Sequence, residues 1–355
     1  MSAGLAGENR EDLMVRRSRT EEQVEAALRA LEDASATDAE KSEMLMEIAM
    51  GLQQKPQTPE DLLGAIKLYE MAMERCLDGQ ELLRARIQAR MGTAYMMLPA
   101  EDAGPLQQAR DAFLEALLVL NKDGGPEEIA ETEMNLGLAF QNLASVNLAS
   151  IQDAISAYQR SLRTFDRQRH PQEFAILQNN LATAFLSIPF TDEKAKMREA
   201  LAVQSFEEGL KTVNLIDHPV EYAMLQNNLG NALQYASSSH RVENGFRALE
   251  AYDEALRVRD VKTMPGEYAN TISNKANCLA NLPDDPENPE AGNPKNKEGA
   301  ISLYKAALAT FERLGEMQKV QAVSEAIAEL SSFEQGADAS SLDCADAKDR
   351  RREAV

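Results

Sequence analysis

The side chains with the most recognisable chemical pattern in this chain are amides. Asn135, Asn179, Asn180, Asn227, Asn228, Asn231, Asn274 and Asn277 recur along it, with Thr183 beside one group. Each amide offers one acceptor oxygen and two N–H donors. It can pair with a peptide group in both directions, so a column of amides could hold the main chain of an extended segment without reading its sequence closely. The same amides could instead bond to a neighbouring helix, and both readings stay open for Asn135, Asn180, Asn228 and Asn274. Asn227, Asn231 and Asn277 are expected to project further from the packed face, where a ligand would meet them.

Catalytic and metal chemistry find little support. The histidines are His170, His218 and His240, and the first two are one position copied 48 residues on. No Cys or His cluster has ligand spacing. No glycine-rich phosphate loop or nucleophile elbow occurs. No metal, cofactor or enzymatic activity is therefore expected. Cys76, Cys278 and Cys344 are scattered and odd in number, which fits a reducing compartment rather than a disulfide framework. Cys278 takes the small-residue place that Ala184 and Ala232 fill elsewhere, so a packed thiol is expected.

Charge narrows the partners. The net charge of −21 opposes phosphate backbones and anionic lipid, and no Lys/Arg stripe is visible. Nucleic acid and membrane are not expected as partners. The stretch from Glu8 to Arg19 is charged and lacks the apolar core of a signal peptide. No run of about 18 apolar residues exists. A cytoplasmic location is the expectation.

The elements that place the amides repeat. Arg90, Asn135, Asn180, Asn228 and Asn274 are separated by 45, 45, 48 and 46 residues. A period of this size is the mark of a stacked array. One helix of each repeat starts at Pro126, Pro171, Pro219 or Pro265, followed by Glu128, Glu173, Glu221 or Glu267. Proline suits a first turn because its missing N–H would be unbonded there, and the carboxylate meets the positive end of the helix dipole. The second helix carries Ala, a ring four residues on and a small residue three after that. Examples are Ala65/Tyr69/Ala72, Ala109/Phe113/Ala116, Ala154/Tyr158/Ser161, Ala202/Phe206/Gly209, Ala248/Tyr252/Ala255 and Ala300/Tyr304/Ala307. That spacing sets all three on one face. Ahead of the repeats, Thr20 with Gln23 and Thr37 with Glu40 read as capping boxes.

These residues, Leu-Gly or Leu-Ala in the first helix and Ala-ring-small in the second, resemble those of the tetratricopeptide repeat (TPR) over about residues 40–330. The long period, His170-Pro171, His218-Pro219 and the Asn-Asn-Leu runs resemble kinesin-light-chain-type and bacterial Asn-Asn-Leu-Gly repeats. The resemblance implies an all-α fold: a right-handed α-solenoid of about six TPR-like helix pairs, with an N-terminal helix and a C-terminal capping helix. It also implies that the first helices line a concave groove, where related proteins use such asparagines on bound peptides. The clamp for acidic chaperone tails needs lysines where this chain has Ala89, Met134, Asn179, Asn227 and Ser273. Arg86 and Arg90 alone do not rebuild it.

The expected organisation is a disordered segment at 1–19, the solenoid at 20–333 and a disordered tail at 334–355. Four prolines between 283 and 294 mark a mobile insertion running to Lys297. The expected function is a non-catalytic protein–protein interaction scaffold or adaptor, which holds an extended peptide or partner segment in its groove. Assembly chaperones and regulators of another enzyme fall within that reading. The alternative is a structural protein acting through self-association, motivated by methionines expected at the surface: Met44, Met46, Met50, Met71 and Met73.

Overall fold

The computed structural model describes residues 19–32, 35–99, 101–189, 193–237 and 240–332. The two segments expected to be disordered, 1–19 and 334–355, lie outside the described residues, apart from Arg19, which begins the first helix. Helices joined by turns make up what is described, and it contains no strand.

The chain divides into two compact units, meeting at Thr164 and Phe165. Unit 1 holds α1 (Arg19–Glu32), α2 (Asp38–Gln54), α3 (Pro59–Arg75), α4 (Glu81–Met97), α5 (Gly104–Asp123), α6 (Pro126–Ser145) and α7 (Ile151–Ser161). Unit 2 holds α8 (Pro171–Leu186), α9 (Glu193–Leu210), α10 (Pro219–Tyr235), α11 (Arg241–Leu256), α12 (Pro265–Ala280), α13 (Pro294–Leu314) and α14 over 317–332. The helices pack as six consecutive antiparallel pairs, α2 with α3 through α12 with α13.

Each pair closes on a ring. Tyr69, Phe113, Tyr158, Phe206 and Tyr252 are wholly buried, and Tyr304 nearly so. Opposite three of these rings stands a glycine of the first helix. A Cβ on Gly137 would meet the Tyr158 ring at 2.5 Å, and one on Gly230 would meet Tyr252 at 2.6 Å. The small residue lets the two helices close on the ring. The hydroxyl of a ring buried this way needs an acceptor. Tyr69 donates to Gln53 at 2.7 Å and Tyr158 to Gln141 at 2.8 Å, while the single proton of Tyr252 is shared between Asn231 Oδ1 at 2.7 Å and Gln234 Oε1 at 2.8 Å.

The four prolines each occupy the first turn of their helix, as expected. Part of the long period goes into ordered turns before those prolines. Asp166, Asn214 and Asp260 each accept two main-chain N–H groups with Oδ1, and their carbonyls accept the N–H of His170, His218 and Met264. This is an Asx-type turn copied three times. Phe165, Val213 and Arg259 precede the turns and are buried. The His170 ring packs edge-on against Phe165, so that copied histidine is part of a helix start.

Three expectations need correction. Thr37 and Glu40 form a capping box, but Thr20 lies inside α1, and its hydroxyl donates to Asp61 at 2.5 Å. The proline-rich insertion is tied down by hydrogen bonds. Asp284 accepts the N–H groups of Lys295 and Asn296 at the start of α13, and Asn296 donates back to the carbonyls of Leu282 and Pro283. Pro294 opens α13, where its ring fits the first turn, and Pro289 opens a short 3-10 turn over Pro289–Ala291. Of the methionines expected at the surface, Met46, Met50, Met71 and Met73 pack partly buried against the core of unit 1, and Met44 is exposed.

Candidate functional site

The first helices of unit 1 build a groove. Matching faces of α2, α4 and α6 line a cavity of about 440 Å³, with Phe113 and Leu120 of α5 behind them. Met46, Met50 and Gly51 come from α2, Arg86, Arg90 and Thr93 from α4, and Glu128, Glu131, Thr132 and Asn135 from α6. The i, i+4, i+7 spacing on α4 and α6 aims each set into one trough. The thioether and ring carbons make an apolar floor, and the amide, hydroxyl and charged groups make the walls.

The charges on the walls are mostly matched. Arg86 grips Glu128 with two N–H groups, at 2.6 and 3.2 Å, and Arg90 reaches Glu131 at 3.1 Å. The Arg86 guanidinium holds the Glu128 carboxyl below the usual carboxylate range, and the Gly125 N–H adds to this. Both arginines thus pair with carboxylates of α6. Glu47 stands on the α2 wall exposed, without such a partner.

Of the residues expected to bind, Asn135 alone lies in this groove. The others lie in unit 2, where the amides bond to one another. Asn179 Nδ2 donates to Asn180 Oδ1 at 3.2 Å, and Asn228 Nδ2 donates to Asn179 Oδ1 at 2.8 Å. Asn227 Nδ2 donates to Asn228 Oδ1 at 3.0 Å, and Asn274 Nδ2 donates to Asn227 Oδ1 at 3.4 Å. The result is an amide ladder across α8, α10 and α12. Asn179 and Asn227 are each only 7% exposed. Asn227 was expected to project outward and instead sits inside the ladder. Asn231 accepts the Tyr252 hydroxyl, and Asn277 donates to the Tyr235 hydroxyl at 2.6 Å. Thr183 donates to the carbonyl of Asn180 at 3.0 Å within its own helix.

Nothing in the sequence singled out Thr93; Met46 and Met50 stood out only as surface methionines, and Arg86 and Arg90 only as part of an incomplete clamp. One signal was available: Arg90 and Asn135 are the same repeat position 45 residues apart, so the face around Arg90 belongs with the Asn135 face. Cys278 is the packed thiol expected. It is 2% exposed, its Sγ donates to the Gly245 carbonyl, and burial pushes its pKa up to about 11.

Six helix pairs, each closed by a small residue against a ring, decide the class of repeat. The described residues fold as a TPR-like helical repeat. No protein-family model matches the chain, and no curated protein matches it. Among solved structures it is similar to BtubC (BKLC) from P. vanneervenii, with 16% identity, 90% of this chain and 93% of that one covered, and a TM-score of 0.40. It is also similar to a Rap protein complexed with competence and sporulation factor, with 12% identity, 92% and 89% covered, and a TM-score of 0.40. A third is the assembly chaperone of RpL4, Acl4, with 15% identity, 84% and 99% covered, and a TM-score of 0.36. Among the described residues of this TPR-like chain, no helix is long and apolar enough to cross a membrane. No group of three or more His, Cys, Asp or Glu among them is arranged to hold a metal ion.

Proposed function

We propose that this chain is a non-catalytic adaptor, and that the groove of unit 1 holds an extended segment of a partner protein. The observation that carries the reading is the groove itself: an apolar floor beneath walls of amide, hydroxyl and paired charge, drawn from three successive first helices. A volume of about 440 Å³ lies within the range of pockets that bind small molecules and short segments. Met46 and Met50 supply an adaptable floor that accepts different side chains. Asn135 and Thr93 offer hydrogen bonds to a main chain. Cys76 and Cys278, both free and scattered, suit a reducing compartment such as the cytoplasm.

Site-specific photocrosslinking tests the location. A benzophenone amino acid replacing Thr93 should capture a partner segment in cells, and the same group replacing the exposed Leu118 on α5 should not. Equal capture at both positions, or none at 93 while a partner copurifies, overturns the groove reading.

A further inference from the structure

Tyr304 departs from the pattern its counterparts keep. In three pairs the second-helix tyrosine donates to a glutamine of the first helix, four residues after the small residue: Gln53, Gln141 and Gln234. Where the ring is a phenylalanine, Phe113 or Phe206, the matching position holds Met96 or Leu186, and no acceptor is needed. In the last pair the ring is a tyrosine, yet the matching position is Ala280, 46 residues after Gln234.

The consequence is a cavity. Tyr304 is 6% exposed, its hydroxyl has no hydrogen-bond partner, and it lines a space of about 530 Å³ in unit 2. Ala280, Asn277 and Asn281 of the α12 side share that space with Glu329 and Leu330 of α14. One amide N–H of Asn277 donates to the Tyr235 hydroxyl, and one of Asn281 donates to the Asn277 carbonyl. Their Oδ1 atoms remain available as acceptors. In the other tyrosine pairs an amide oxygen meets the hydroxyl, whereas the Tyr304 hydroxyl opens onto this space without one.

We infer that this cavity binds a primary carboxamide, the group at the end of a glutamine side chain, presented by a peptide. The ligand's carbonyl oxygen accepts from the Tyr304 hydroxyl, as the oxygens of Gln53, Gln141 and Gln234 do in their pairs. Its NH₂ group donates to the Asn277 and Asn281 oxygens. Leu330 and Ala326 cover the aliphatic part of the side chain. With the Tyr304 hydroxyl, the Asn277 and Asn281 amides and the Glu329 carboxylate facing it, the space discriminates against an apolar side chain of similar size, because these groups would lose water without gaining a partner. The inference concerns unit 2 alone and stands or falls apart from the groove of unit 1.

The test follows the Tyr304 ring by NMR in protein labelled with ¹³C on its tyrosine rings, with the signal assigned by its loss in Tyr304→Phe. N-acetylglutamine N-methylamide should shift that signal saturably. The leucine analogue, which carries the same main-chain amides, should act at least about tenfold more weakly. Ala280→Gln should abolish the response and raise the melting temperature, since it rebuilds the Tyr–Gln pair within the chain. Ala280→Met fills the cavity without an amide and should abolish the response too. The inference is overturned by no saturable shift, by equal responses to the two compounds, or by a full response in the filled variants.

Discussion

Asn228 on α10 donates to Asn179 on α8 at 2.8 Å, so this amide joins one repeat to the next. Asn179 in turn donates to Asn180, and Asn227 repeats the arrangement with Asn228 and Asn274. Replacing Asn228 by Ala removes both a donor and an acceptor from two amides that are nearly buried. It should destabilise unit 2 by about 1–3 kcal/mol, the range for leaving a buried polar group unsatisfied. Asn135→Ala, at a partly exposed position with no ladder bond, should change stability by less than about 0.5 kcal/mol. Urea unfolding of the two variants checks the contrast, and equal effects would remove the ladder as a structural element.

The Tyr–Gln pairing predicts a reciprocal change in unit 1. Phe113→Tyr places a hydroxyl opposite Met96, where no acceptor waits, and should destabilise by about 1–3 kcal/mol. Adding Met96→Gln should recover about 1 kcal/mol or more of that loss, read as the coupling energy of a double-mutant cycle. A coupling near zero would show that the ring, and not its hydroxyl, decides the pairing.

Two glycines of unit 1 should answer oppositely to alanine. Gly51 is exposed in α2 with no atom within 4 Å of an added Cβ, so Gly51→Ala should stabilise by up to about 1 kcal/mol through helix propensity. Gly137→Ala gains the same propensity but drives a methyl into the Tyr158 ring, which Gln141 holds by its hydroxyl. Overpacking costs about 1–3 kcal/mol and outweighs the gain. Thermal melts of the two variants should move in opposite directions.

Arg259 is a buried cation where the equivalent positions hold Phe165 and Val213. Its Nη1 donates to the Thr271 hydroxyl at 2.8 Å, its Nε has no partner, and burial lowers its pKa. Replacing a buried, incompletely paired charge by an apolar side chain is often neutral or stabilising by about 1–4 kcal/mol. Arg259→Val should therefore raise the melting temperature, and a clear fall would mean that the guanidinium supports the start of α12 more than its contacts suggest.

Acid should loosen the turn at Asp166. Main-chain N–H groups of Arg169 and Gln168, with the Arg169 guanidinium, hold its carboxyl down at about 2. A depressed folded pKa stabilises above the unfolded value, near about 4, and that contribution disappears as pH falls from there through about 2. Asn214 makes the same turn with a neutral amide. Asp166→Asn should thus fold at neutral pH and lose less stability than the parent protein between about pH 4 and 2. Parallel losses would assign the acid sensitivity to other carboxylates, such as Glu128 or Glu254.

The repeat made most of the fold legible. Pro126, Pro171, Pro219 and Pro265 marked four helix starts because proline in a first turn has one local meaning. The Ala-ring-small spacing marked all six second helices. The amides kept two readings open because periodicity reports which face a side chain leaves from and not what meets it there. Asn227 leaves α10 on the face that Asn274 of the next repeat covers. Asp284, in turn, caps α13 across a loop that reads as mere proline. The unit 1 groove was not legible because nothing in the spacing brings Met46 of α2 to the same trough as Arg86 of α4 until the helices pack.

The most direct measurement compares partner binding by a groove variant and a ladder variant, each with its unfolding curve. Met50→Glu places a charge on the floor of the unit 1 groove, and Asn228→Ala breaks the ladder of unit 2. The expected result is that Met50→Glu loses the partner while remaining folded, and that Asn228→Ala keeps the partner at low temperature while melting earlier. Retained binding in folded Met50→Glu, with binding lost in folded Asn228→Ala, would contradict the groove and return the site to the amides.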